Sequence, residues 1–213
     1  FRTNCKSTGN SIMKSSKNHQ NTRRKQPGLP PIEDFIPTGH RMIEGNHPAM
    51  MSDEELLKQV SLSFGRTGGP GGQHRNRKAT ACTATHVPTD ISGTATERRR
   101  QSENRSLSIS RLRRNLAITL RRQVEINAWK CSELWGGRQQ GNQLPINPKH
   151  RDYPHILAET LDLLFGFEFD ISSTAECASV SSSQLVKLIG HDKQALTWVN
   201  KQREKRGLSP LKS

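Results

Sequence analysis

The sequence predicts an α+β fold, a small β-sheet with a packed helix, followed by a C-terminal all-α domain. Three observations predict it. Thr, Ala and Val crowd residues 78–87, and Ile91 to Thr96 follows across Pro88-Thr89-Asp90, the composition and punctuation of a β-hairpin. From about Ser102 the apolar residues recur at threes and fours, with Ile109, Leu112, Leu116, Leu120 and Val124 on one stripe. The same period returns after Tyr153 in Ile156, Leu157, Leu161 and Leu164.

In chain order, residues 1–49 read as a disordered basic arm and a Pro-rich linker. The first 32 residues hold seven Lys/Arg and no Asp or Glu, and they show no periodicity. An organellar targeting segment and an RNA-binding arm share that composition. The first folded element is expected at Ser52. Ser52-Asp53-Glu54-Glu55 has the form of a capping box, Ser at N-cap and Glu at N3, opening a short helix with Leu56, Leu57 and Val60. Ser61 to Arg66 reads as a strand, then comes a Gly-rich loop, then the hairpin and the long helix. Together these form a unit over residues 50–125. Residues 126–150, with Gly136-Gly137 and a polar run to Gln143, read as a linker in which Trp129 and Trp135 are candidates to dock on a neighbour. Residues 151–213 read as a helical domain with further helices near Ser173–Ala178, over Ser182–Ile189 and over Asp192–Arg206, the last stopped by Gly207.

The chain has 213 residues and a formal net charge of +14, with 33 Lys/Arg against 19 Asp/Glu. Such a surplus implies a polyanionic partner, nucleic acid or an anionic membrane surface. The arginines do not sit opposite a large-aromatic face, which favours nucleic acid. No apolar run is long enough to cross a bilayer, so a soluble, non-membrane protein is expected. Cys5, Cys82, Cys131 and Cys177 are scattered without metal-ligand spacing, which predicts reduced thiols, no metal site and no cofactor.

The most informative segment is Gly69-Pro70-Gly71-Gly72-Gln73-His74. Two adjacent glycines reach positive φ and carry no Cβ. Pro70 fixes φ just before them. Gln73 places an amide donor, an amide acceptor and a main-chain N–H at the tip. Between Phe64 and Arg122 there are 13 Lys/Arg and three acids, the density of a phosphate-binding surface. Such contacts position a protein without reading sequence. No Ser-His-Asp set, acidic pair or metal cluster is visible in this unit. A loop of this kind works by positioning, with N–H groups and an amide stabilising developing oxyanion or leaving-group charge and orienting a water.

Gly69-Pro70-Gly71-Gly72-Gln73-His74, then Asn76, Thr85-His86-Val87-Pro88-Thr89, Glu97-Arg98-Arg99-Arg100-Gln101 and Asn104-Arg105 resemble, in order, the catalytic domain of class I peptide chain release factors. The resemblance covers about residues 50–125. It implies that the Gly-Gly-Gln tripeptide enters the ribosomal peptidyl-transferase centre and promotes attack of water on the ester between nascent peptide and P-site tRNA. Carried onto this chain, Gly71 and Gly72 permit the tight loop. The Gln73 N–H stabilises the transition state and the leaving 3′-oxygen, and its side chain favours water over bulkier nucleophiles. In the family this glutamine is often N-methylated, which implies a glutamine methyltransferase as a further partner. Gly69, Pro70, His74 and Asn76 support the loop. Arg75, Arg77, Lys78, Arg98, Arg99, Arg100, Arg105, Arg111, Arg113 and Arg114 are the candidate contacts to large-subunit ribosomal RNA. The hairpin turn departs from the family's Pro-Thr-Gly in having Asp90, a residue that tolerates the left-handed region. Arg99-Arg100-Gln101 stands where Arg-Ser-Gln is usual, and Ala79-Thr80-Ala81-Cys82-Thr83 stands where Glu-Ser-x-Val-Arg is typical.

Nothing before Ser52 reads as a codon-reading domain. The expectation is therefore a short, codon-independent, monomeric hydrolase that rescues stalled ribosomes, in the cytoplasm or, if the basic arm is a targeting sequence, in an organellar matrix. The competing expectation is a ribosome- or RNA-binding factor that keeps the fold without turnover. Ala175 to Ile189 resembles a helix-turn-helix with Gln184 and Lys187 on the second helix, against the alternative of an ordinary helical bundle.

Overall fold

A computed structural model describes residues 41–66 and 79–212. The basic arm with most of its linker and residues 67–78, which carry Gly69 through Lys78, lie outside the described residues. Chain order is β1 (Arg41–Ile43), α1 (Asp53–Lys58), β2 (Val60–Gly65), β3 (Ala81–His86), β4 (Ile91–Ala95), α2 (Gln101–Thr119), β5 (Leu120–Arg122), α3 (Glu133–Arg138), α4 (Tyr153–Gly166), α5 (Ile171–Cys177), α6 (Ser182–Gly190) and α7 (Lys193–Glu204). Single 3-10 turns occupy Pro48–Met50 and Ile126–Ala128.

The capping box at Ser52 is made in full. Ser52 Oγ accepts from the Glu55 N–H at 3.3 Å, and the Glu55 carboxylate accepts from the Ser52 N–H at 3.1 Å. The box opens α1 and delivers the chain to β2. Strands β2, β3 and β4 form a three-stranded antiparallel sheet with β3 in the centre. Side chains alternate as a sheet with one covered face requires: Cys82, Ala84, His86, Gly93 and Ala95 are buried, whereas Ser92 and Thr94 are exposed. On the open face Thr83 and Thr94 hydrogen-bond across the strands at 3.0 Å. The turn between β3 and β4 takes Asp90 to φ +57°, the left-handed conformation expected there. His86 braces it, with Nδ1 2.7 Å from Thr89 Oγ1 and Nε2 2.9 Å from Gln59 Oε1.

Helix α2 lies on the covered face. Its stripe is Asn104, Ser108, Leu112 and Leu116, all buried. Gly93 permits the close approach, since a Cβ there would fall 2.3 Å from Leu112 N and 2.5 Å from Ser108 O. The helix stops one residue before Leu120, short of the expected run through Val124. Leu120, Arg121 and Arg122 are extended instead, because they pair in parallel with Arg41, Met42 and Ile43. The first described element is therefore β1, ahead of Ser52.

The described residues all fall in one compact unit. The segment expected as a linker packs into it: Trp135 on α3 and Leu144 are buried, and Trp129 meets Trp135 edge to face at 6.1 Å between centroids. Two apolar clusters adjoin. One joins Leu56, Ala84, Leu112, Leu116 and Leu120 with Ala158 of α4, and the other joins Ile118 with α4–α7 through Leu157, Leu161, Leu164, Phe169, Leu188 and Trp198. Helix α4 is buried on nearly every face and belongs to both. Helices α5 and α6 meet through a turn in which Ser179 takes φ +52° and Ser181 caps α6, and Ala175, Ala178, Val180, Leu185, Leu188 and Ile189 are core residues of the helical cluster.

Candidate functional site

Antiparallel pairing of β2 with β3 ends at Gly65 opposite Ala81. Residues 66–80 connect these two strand ends in the sequence, and Gly71-Gly72-Gln73 falls within that stretch. The pairing of β3 with β4 ends at the same edge, at Cys82 opposite Ala95, so the chain leaving β4 through Glu97, Arg98, Arg99 and Arg100 reaches α2 beside the base of the loop.

Two side chains of the first turn of α2 hold that base. Asn104 is fully buried; its Nδ2 donates to Thr80 O at 2.7 Å and to Arg98 O at 3.0 Å, and its Oδ1 accepts from the Arg98 N–H at 2.9 Å. Gln101 Nε2 donates to Ala79 O at 3.0 Å. Neither residue was given a role from sequence, although both stand in the motif that carries the resemblance. The available signal was spacing, since Asn104 and Ser108 continue the Leu112–Leu116 stripe in steps of four.

Arg98, Arg99, Arg100 and Arg105 are exposed around this base. The first three share the rim of a cleft with Glu97 and Glu103, and an adjoining cleft of about 550 Å³ is lined by Arg98, Glu103, Ser106, Leu107 and Ser110. Arg100 is the N-cap of α2 and makes no side-chain capping bond, so the positive end of a 19-residue helix faces the same region.

The other three candidate RNA contacts on α2 are engaged within the protein. Arg111 donates to Thr94 O at 2.6 Å and forms a bidentate pair with Glu97, whose carboxyl is held down to about 2, first by that hydrogen bond. Arg113 is turned inward, 8% exposed; it donates to Ala49 O at 3.0 Å, Met51 O at 2.5 Å and Asp53 Oδ1 at 2.6 Å. It ties the 3-10 turn and α1 to α2. Arg114 pairs with the buried Asp192 at the start of α7. The reason is long-range: each acid that captures one of these arginines is on another element. Among the described residues no group of three or more His, Cys, Asp and Glu is arranged to hold a metal ion, and no helix is long and apolar enough to cross a membrane.

Residues 54–143 match the RF-1 domain. The chain is similar to the chloroplastic peptide chain release factor PrfB1 of Arabidopsis thaliana, 36% identical over 84 residues that make up 37% of this chain and 18% of that protein. It is similar to peptide chain release factor 1 of Chlamydia trachomatis serovar L2, 27% identical over 152 residues, 67% of this chain and 41% of that protein. With peptide chain release factor 1 of Mesoplasma florum the identity is 29% over 120 residues, 54% of this chain and 33% of that protein. The chain thus spans less than half the length of these relatives. Strands β2 and β3, the Gly-Gly-Gln segment that lies between them in sequence and the Gln101–Asn104 turn all fall inside the matched residues, and this part of the chain is an RF-1 domain similar to those of peptide chain release factors.

Proposed function

We propose that this protein hydrolyses the peptidyl-tRNA ester on the ribosome, releasing the nascent peptide, and that it does so without reading a stop codon. The observation that carries the first part is the place of Gly71-Gly72-Gln73 in the sequence, between β2 and β3 and inside the matched residues 54–143. The sheet and the 19-residue helix hold the described ends of that stretch. The tip brings N–H groups and one amide to the scissile ester. The ribosome and the tRNA supply the rest of the site, and the attacking group is water. Main-chain N–H donors stabilise the charge that develops on the leaving 3′-oxygen, in a site closed to bulk solvent. Exposed Arg98, Arg99, Arg100 and Arg105, with Arg75, Arg77 and Lys78 in sequence beside the tip, hold ribosomal RNA phosphates.

The codon-independent part is supported by charge. Residues 1–32 carry seven Lys/Arg without an acid, and Lys201 to Arg206 carries four with one acid. Polycationic segments of this kind follow an RNA channel through its phosphates and leave the bases unread. Gln73 is the substrate for a glutamine methyltransferase in the same reading, and the protein acts as a monomer. The compartment is that of its ribosome, cytoplasm or organellar matrix.

The test is peptide release from ribosomes carrying peptidyl-tRNA on a truncated mRNA, compared with ribosomes holding a stop codon in the A site. Release on the truncated message, abolished by Gly72→Ala or Gln73→Ala with ribosome binding retained, is the expected result. Release confined to the stop codon overturns the codon-independent part. Binding without release on either message leaves a non-catalytic ribosome-binding factor as the function.

A further inference from the structure

The β2–β3 ladder ends at Gly65 and Ala81, and the next two residues on the loop side, Thr80 and Ala79, are gripped by side chains of α2. Asn104 and Gln101 stand three apart, on one face of the first turn. They hold two consecutive carbonyls, Thr80 O at 2.7 Å and Ala79 O at 3.0 Å. Asn104 spends its second amide hydrogen and its oxygen on Arg98, so one buried side chain joins the loop stem to the chain that carries the exposed arginines. An amide is the side chain that this position needs, because it has to donate twice and accept once at a single site. A carboxylate lacks the donors, and an apolar residue leaves a buried carbonyl and N–H unpaired.

We infer that Asn104 and Gln101 are positioning residues for the Gly-Gly-Gln loop. They act through Ala79 and Thr80, and they lock the loop's downstream stem in register with the Arg98–Arg100 surface. The inference rests on the proposed function. Gln73 precedes Ala79 by only six residues in the sequence. The same clamp fixes the point at which the chain joins β3 relative to Arg98–Arg100. Contact with RNA and placement of the tip are thereby coupled through one side chain. Loss of the clamp therefore lowers the rate of the bound complex and leaves docking intact, since neither amide is among the exposed phosphate contacts.

The experiment uses the full chain with Gln101→Ala, Gln101→Glu and Asn104→Asp. Gln101 is exposed, so its variants fold. Asn104→Asp keeps the acceptor for Arg98 N and removes the donors to Thr80 O and Arg98 O. Single-turnover release from ribosomes with peptidyl-tRNA on truncated mRNA is measured against protein concentration, together with trypsin cleavage after Arg75, Arg77 and Lys78. The clamp predicts a fall in the saturating rate on the order of tenfold to a hundredfold. It also predicts an unchanged half-saturating concentration and faster cleavage. A wild-type saturating rate in all three variants overturns the inference, as does a change in half-saturation alone. If the parent chain releases no peptide, the functional reading fails, and the clamp is decided by cleavage alone: cleavage as slow as in the parent overturns it.

Discussion

Arg121 and Asp162 form an ion pair that neither side chain exposes to solvent: Nη1 lies 3.1 Å from Oδ1, and each is 1% exposed. Arg121 also donates to the carbonyls of Ala117 and Ile118 at the end of α2 and lies 4.9 Å over the Trp198 ring. The Arg122 N–H donates to the same Asp162 oxygen at 3.1 Å. One acid on α4 thus fixes the foot of the helix whose first turn holds Ala79 and Thr80. Removing one partner strands a buried charge. Asp162→Ala is expected to cost about 3–5 kcal/mol in urea unfolding, whereas Arg121→Met with Asp162→Leu costs far less. A single variant as mild as the double contradicts this.

His47 gives the fold a pH dependence. Its Nδ1 accepts from the Ala49 N–H at 3.1 Å, which leaves Nε2 to donate to Leu120 O at 3.3 Å, the neutral form. Burial first, and then the Arg121 charge, push it down from 6.5 to about 3. A depressed folded value stabilises the fold above pH 6.5 and loses that contribution as pH falls towards 3. Asp162 runs the other way. Burial raises it from 3.8 to about 6 against the pull of Arg121, so its contribution is complete below 3.8 and is lost as pH rises through 6. Comparison with His47→Gln isolates the histidine. The stability of the parent relative to that variant is expected to fall on acidification below pH 6.5, by at most about 1.4 kcal/mol per pH unit. A difference that does not vary with pH contradicts the neutral assignment.

Gly93 is where the sheet admits α2. A Cβ placed 2.3 Å from Leu112 N meets helix backbone, which cannot rotate away. Gly93→Ala is expected to destabilise by about 1–3 kcal/mol or more. Gly137→Ala, inside α3 with nothing within 4 Å of its Cβ, is the control and is expected to be neutral or to stabilise by up to about 1 kcal/mol. Equal unfolding midpoints for the two contradict the close approach.

The arginines of α2 and its approach divide into two kinds. Arg113→Ala is expected to lower stability by about 1.5–3 kcal/mol through the charge-assisted bonds to Ala49, Met51 and Asp53. Arg99→Ala and Arg100→Ala are expected to stay within about 0.5 kcal/mol of the parent. Each instead weakens ribosome binding and lowers its salt slope by up to about 0.9. Unfolding midpoints and filter binding at varied KCl measure both.

Local signals in the sequence were enough for the sheet, the Ser52 capping box, the Asp90 turn and the helical segments, because each is specified by neighbours within a few residues. The parallel pairing of Arg41–Ile43 with Leu120–Arg122 was not legible. Its three-residue strands carry no alternation, and the bonds are all backbone. Nor was the burial of Arg113 and Arg121, since an arginine turns inward only where a distant acid waits, here Asp53 and Asp162. At the site, Gly71-Gly72-Gln73 declares itself as a motif. Asn104 does not, because its partners are main-chain oxygens and an N–H that any sequence supplies.

The central claim is tested most directly by peptide release from ribosomes stalled on a truncated mRNA, with the parent chain and Gln73→Ala side by side. Rapid release by the parent is expected and, with ribosome binding unchanged, a loss on the order of a hundredfold or more in the variant. Equal release by the two, or none by a parent that binds the ribosome, contradicts it.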